Sequence, residues 1–255
     1  MILTDTHTHL YSKEFDKDRR EVIQKAIVED ITRFFIPAID SSHTPGMYAL
    51  EADFPDNIFL MMGLHPTSVK ENYKEELEHV KEQFLKRKFF AVGETGIDLF
   101  WDSSFLNQQK EAFNFQIELA KKLDLPIVIH CRDAFNEIFE VLESQKDELL
   151  YGIFHCFTGN FNQAQKALSF NMKLGIGGVA TFKNGGLDKF LKEIPLQHIV
   201  LETDAPYLSP VPYRGKRNES VYLKNVAQKV AEIYGISLDE VASVTTQNSR
   251  EVFKV

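Results

Sequence analysis

Eight short runs rich in β-branched and aromatic residues recur along the chain, at 2–6, 33–39, 58–64, 89–94, 126–130, 152–155, 172–177 and 198–202. Such runs are the signature of buried strands. Between them, apolar residues fall three and four apart, as in Phe113, Ile117, Ala120 and Leu123 or Val226, Val230 and Ile233, which is the stripe of a helix packed on one face. About eight strand-helix alternations in 255 residues predict an α/β fold, a (β/α)8 TIM barrel, with a doubly wound open sheet as the alternative. No Gly/Ser linker, low-complexity tract or internal repeat marks a boundary, so one domain over 1–255 is expected. Pro206, Pro210 and Pro212, followed by "YRGKRNE", read as a long loop after the last strand, which in a barrel lies over the mouth.

The first run ends in "DTHTHL", with His7 and His9 two residues apart. In extended backbone they point to the same side and can reach one ion. Glu94 in "AVGETG", His130 in "IVIHCR", His155 in "GIFHCF" and Asp204 in "IVLETD" each fall at or just past the end of another predicted strand. A barrel gathers those ends on one face. Six residues of the His/Asp/Glu class there are ligands enough for two divalent ions, with positions left for water and substrate.

Other residues near these ends receive roles by the same logic. His65 ends the third strand in "GLHP" and is a candidate substrate-contacting or acid group. Arg132, two residues past His130, faces the same side and could grip a phosphate or pair with a carboxylate. Glu202, two residues before Asp204, suits an orienting hydrogen bond to a ligand histidine or loop amide. Arg214, Lys216 and Arg217 form a local basic patch in the loop over the mouth, with Arg214 and Lys216 the candidate substrate contacts. Phe100 and Trp101 could stack on a base, or simply pack. Strand alternation turns Cys131 and Cys156 toward the helices as packing residues, and His43, His79 and His198 read as surface residues.

The formal charge is −8, from 29 Lys plus Arg against 37 Asp plus Glu, which excludes a protein that coats nucleic acid by bulk electrostatics. It does not exclude an enzyme acting on phosphodiesters, because bound cations offset the sign locally. Two cysteines make no disulfide framework, and no apolar run approaches the roughly 20 residues of a membrane span. Without a basic n-region and apolar h-region at the N-terminus, the expectation is a cytoplasmic protein, monomeric or weakly oligomeric, with no membrane and no disulfide partner.

Seven motifs, "DTHTHL", "GLHP", "GETGID", "LPIVIHCR", "HCFTG", "LETDAPYLSP" and "RGKRNE", resemble in order and spacing the TatD family of metal-dependent deoxyribonucleases, within the amidohydrolase-like metal hydrolases. The resemblance implies that His7, His9, Glu94 and Asp204 hold one metal and that Glu94, His130 and His155 hold a second, with Glu94 bridging. It also implies DNA as substrate. Only "GETGID" and "RNES" depart slightly from the commoner forms, and neither departure touches a ligand. In a site of this kind two ions, Mg, Mn, Zn or Co, activate a water, and Asp204 is the candidate general base. The expected activity is metal-dependent hydrolysis of DNA phosphodiesters. The alternatives are a small amide, lactone or phosphoester substrate on the same barrel, or a non-catalytic binding protein.

Overall fold

The computed structural model describes residues 2–255. Eight parallel strands are present: β1 Leu3–Asp5, β2 Ile31–Ile36, β3 Ile58–Leu60, β4 Val92–Asp98, β5 Ile127–Arg132, β6 Gly152–Phe154, β7 Met172–Ile176 and β8 Ile199–Leu201. Regular ladders join β1 to β3 and β4 to β8. The two seams between these sheets carry a few separate bonds in place of a regular ladder. Across β3–β4, Phe90 N donates to Leu60 O at 2.9 Å and Met62 bridges Val92; across β8–β1, Thr6 N donates to Leu201 O at 3.0 Å. The strands therefore close into the barrel that the alternation predicts.

Strand periodicity sorts the side chains into two apolar layers. Outward residues such as Phe34, Ile36, Ile127, Ile129, Leu174 and Leu201 pack under the helices. The alternate positions Phe35, Met61, Ala91, Val128, Ile153 and Val200 form a separate cluster with Val252 and Phe253, which fills the barrel interior. Phe253 closes its lower end by stacking on Phe35 at 3.7 Å between ring centroids. Two residues further along three of these strands, the same inward direction belongs to His130, His155 and Glu202. The apolar layer is the floor of the polar one.

The helices are α1 Arg19–Val28, α2 Thr44–Asp53, α3 Tyr73–Lys86, α4 Leu106–Leu123, α5 Phe135–Ser144, α6 Phe161–Leu168, α7 Leu223–Tyr234 and α8 Leu238–Phe253. In α4, Phe113, Ile117 and Ala120 are buried as their spacing predicts, whereas Leu123 is 38 % exposed where Asp124, at φ 52°, turns the chain out of the helix. The alternation lapses once. Between β7 and β8 the chain forms short 3-10 turns, and β8 is followed, after the irregular segment 202–219, by two helices.

Strand β4 differs most from the sequence-based expectation. It runs to Asp98, so Glu94 lies inside the strand and not at its end. Glycines at 93 and 96 lower the apparent β propensity and hide the continuation. Gly96 is required there: its φ is 139°, and a Cβ would lie 2.0 Å from the His130 carbonyl oxygen of the neighbouring strand.

Candidate metal centre

All six predicted ligands converge in the C-terminal half of the barrel around Glu94, which is 1 % exposed. Its two carboxylate oxygens serve different histidines. Oε2 lies 3.0 Å from His7 Nε2 and 3.6 Å from His9 Nε2. Oε1 lies 2.8 Å from His130 Nδ1, 2.8 Å from His155 Nε2 and 3.2 Å from His65 Nε2. Asp204 Oδ1 completes the first side, 3.5 Å from His9 Nε2 and 3.9 Å from His7 Nε2. Three overlapping triplets, His7/His9/Glu94, His7/His155/Asp204 and His65/Glu94/His130, each place one ligand atom per residue within 4.8 Å of the others.

The electrostatics suit a cation. Burial pushes the Glu94 carboxyl up, but His155, His65, His7 and His130 outweigh it and hold the group well below the usual carboxylate range. Asp204 is likewise held low despite burial, by His9, His155 and His7, so it is ionised at neutral pH. Burial opposes charge on His155, yet Glu94 and Glu202 raise it well above the ordinary imidazole value. A dense set of imidazole and carboxylate donors, with no lysine or arginine among the partners of Glu94 in the described residues, is donor chemistry that suits a divalent metal ion. The residues fit such an ion.

Four of the rings, His9, His65, His130 and His155, are aimed by an outer partner, whereas His7 Nδ1 is buried with no hydrogen-bond partner among the described residues. His9 Nδ1 lies 3.1 Å from the Tyr11 hydroxyl, which itself donates to Pro37 O at 3.0 Å; the histidine must then donate, which leaves Nε2 free to coordinate. His155 Nδ1 is 3.2 Å from Glu202 Oε1, which also accepts from Cys156 N at 2.6 Å, the orienting role read for Glu202 from the strand. Gly175 makes room for that carboxylate, since a Cβ there would lie 2.2 Å from Glu202 Oε2. His130 Nε2 sits 2.9 Å from Asp98 Oδ2, so Nδ1 faces Glu94. His65 is set the other way. Its Nδ1 accepts from Thr67 N at 3.1 Å, so the neutral ring carries its proton on Nε2, aimed into the site.

Asp98 and Tyr11 are the residues the sequence reading missed. Asp98 shares strand parity with Glu94, a signal available once β4 is known to continue; Tyr11 lies past the strand, where no periodicity applies.

A cavity of about 670 Å³ opens over the centre, lined by His9, His65, Glu94, Asp98, His130, His155 and Asp204 and, at its walls, by Trp101, Arg132 and Tyr207. Arg132 is exposed, stacks 3.7 Å over the Phe100 ring, and makes no ion pair among the described residues. The basic loop does not come with it. Arg214 packs 3.7 Å over Phe182 and donates to Ser209 O at 2.9 Å, Lys216 is exposed, and neither lines the cavity. Arg217 turns away into a bidentate pair with Asp18 at 2.8 and 2.7 Å. The physical reason is local: Arg214 and Arg217 are committed to holding the loop in place, and Lys216 is exposed to solvent.

Cys131 packs against the outer apolar layer as expected but also touches the cavity, whereas Cys156 departs from expectation, partly exposed and lining the cavity. Cys156 has φ 43°, so strand alternation has ended there. Burial pushes the Cys131 thiol up to about 12, which keeps it protonated. The three other histidines stay outside the centre: His43 pairs with Asp40 at 2.7 Å, His79 reaches Thr44 at 2.9 Å, and His198 precedes β8.

Comparison with known proteins identifies the family and agrees with the fold. The sequence profile of the family described as TatD related DNase matches residues 4–254. The chain is 39 % identical over 255 residues to the Bacillus subtilis protein named uncharacterized metal-dependent hydrolase YabD, covering all of both chains. It is 30 % identical to the 3'-5' ssDNA/RNA exonuclease TatD of Yersinia pseudotuberculosis, over 98 % of this chain and 99 % of that one. The crystal structure of the Escherichia coli TatD homologue YJJV superposes with a TM-score of 0.93 at 27 % identity, over 99 % of this chain and 98 % of that one. With a match from Thr4 nearly to the last residue, the chain belongs to the TatD related DNase family.

Proposed function

We propose that this chain hydrolyses phosphodiester bonds at the ends of single-stranded nucleic acid, using two divalent ions. The observation that carries the reading is the division of Glu94: one oxygen faces His7 and His9, the other His130 and His155, as a carboxylate shared between two ions requires. His7, His9, Glu94 and Asp204 would hold one ion and Glu94, His130 and His155 the other. Bound there, such ions polarise a phosphoryl oxygen and make a water acidic near neutral pH.

The remaining roles belong to the chain. Asp204, ionised and at the edge of the cavity, accepts the proton of the attacking water. His65 donates the hydrogen bond of its Nε2–H to the phosphoryl group or the departing oxygen. Arg132, unpaired on the wall, pairs with a non-bridging phosphate oxygen. The relatives named 3'-5' ssDNA/RNA exonucleases support the substrate class.

The test is hydrolysis of 5′- and 3′-labelled single-stranded oligonucleotides by metal-stripped protein, resupplied separately with Mg, Mn, Zn and Co. Ladders that depend on metal are expected, with a loss of turnover of about 100-fold or more in Asp204→Asn at unchanged fold. An Asp204→Asn protein that cleaves like the parent ends the assignment of that base, and no cleavage with any metal moves the substrate to a small ester or amide.

A further inference from the structure

Trp101 is 69 % exposed and Phe100 51 %, although the loop that carries them is tied down at both ends. Asp98 Oδ1 accepts from the backbone N–H of Phe100 and of Trp101, each at 3.0 Å, while its other oxygen holds His130. Beyond them, Asp102 is fixed by Lys70 at 3.0 Å, and Gln109 Nε2 donates to the Asp98 and Asp102 carbonyls at 3.2 and 3.3 Å. One buried carboxylate therefore links the aromatic pair to a candidate metal ligand. An indole kept in water on an immobilised loop forgoes the burial that a packing residue would gain.

The neighbour of this indole is a cation. The Arg132 guanidinium lies 3.7 Å over Phe100 and 5.4 Å from the Trp101 ring, without a carboxylate partner among the described residues, at the wall of the same cavity. An open π-face beside an unpaired guanidinium matches one repeat of a nucleic-acid chain, a base beside its phosphate. A base is available to such a face only when it has left the stack of a duplex.

We infer that Trp101 is the platform on which a base of single-stranded nucleic acid stacks, with Arg132 holding the adjoining phosphate. The inference rests on the nucleic-acid reading of the metal centre. Asp98 is the positioning residue that keeps platform and centre in register, so selection for unpaired ends is built into the second half of β4.

Trp101 is the one tryptophan of the chain, so its emission reports on this position alone. A phosphorothioate-linked oligothymidylate, slow to be cleaved, is titrated into the metal-loaded protein and compared with a base-free sugar-phosphate chain of equal length. Binding of the thymidylate quenches the emission, and Trp101→Ala weakens it roughly 5- to 150-fold by anisotropy of a labelled strand, most of which Trp101→Phe recovers. The base-free chain does not quench and binds parent and Trp101→Ala alike. Thymidylate that binds without quenching, and equally well to Trp101→Ala, overturns the platform while leaving the nuclease reading intact. A protein that binds metal but neither oligonucleotide overturns both.

Discussion

At the scale of the residue, the ring nitrogen that faces the centre is decided one bond further out. Tyr11 gives its proton to the Pro37 carbonyl and so can only accept from His9 Nδ1, and it follows that His9 offers Nε2 to the centre. Replacing Tyr11 with Phe strips the partner from a buried imidazole and a buried carbonyl together, leaving the ring free to flip. Affinity for Zn or Mn, measured by chelator competition, should fall about 10- to 100-fold with the circular dichroism unchanged. An unaltered affinity would show that the barrel wall, not the hydroxyl, sets the tautomer. The convergence of the six candidate ligands was legible in the sequence because ligand chemistry is confined to few residue types and strand parity aims them. Their orienting partners were legible only where they share a strand, as Glu202 does; Tyr11 is placed by the turn after β1, which no periodicity encodes.

At the scale of the element, the seam between β8 and β1 is held by side chains more than by ladder. Asp5 Oδ1 accepts from Thr203 N at 2.9 Å and Oδ2 from the Thr203 hydroxyl at 2.7 Å. Burial raises the Asp5 carboxyl from 3.8 to about 7, although Thr203 and Ser220 hydrogen-bond to it. Between those values the folded chain keeps a proton that the unfolded chain has released, so stability falls as pH rises from about 4 through 7. Asp5→Asn keeps the acceptor oxygen and cannot ionise. Urea midpoints of parent and variant should diverge across that window, the parent losing ground toward pH 8; each pKa unit is worth about 1.4 kcal/mol, so the effect is well resolved. Parallel pH profiles would rule out Asp5 as the titrating group. Element identity was otherwise well written in the pattern: β4 was cut short because glycines that let strands approach closely look like strand breakers, and the missing helix after β7 leaves no signal beyond a weak stripe.

At the scale of the whole molecule, the charge of −8 and the polyanionic substrate proposed above pull in opposite directions. If the basic loop steered the substrate, binding would depend steeply on salt, since each phosphate neutralised by a protein cation adds about −0.7 to the slope of log K against log salt for a single strand. The structure uses that loop otherwise. Arg217 is committed to Asp18 and Glu219, and Arg214 to Phe182 and the Ser209 carbonyl, which leaves Arg132 as the unpaired guanidinium on the cavity wall. Binding of a short oligonucleotide should therefore show a shallow slope, of about one phosphate's worth, and Arg132→Ala should flatten it by about 0.7. Arg214→Ala should leave the slope unchanged and cost only packing on Phe182. A steep slope that Arg214→Ala or Lys216→Ala reduces would return those residues to the substrate path and show that the loop opens on binding. A shallow slope instead places substrate capture in the cavity itself, where bound cations, one guanidinium and one indole act against the sign of the rest of the surface.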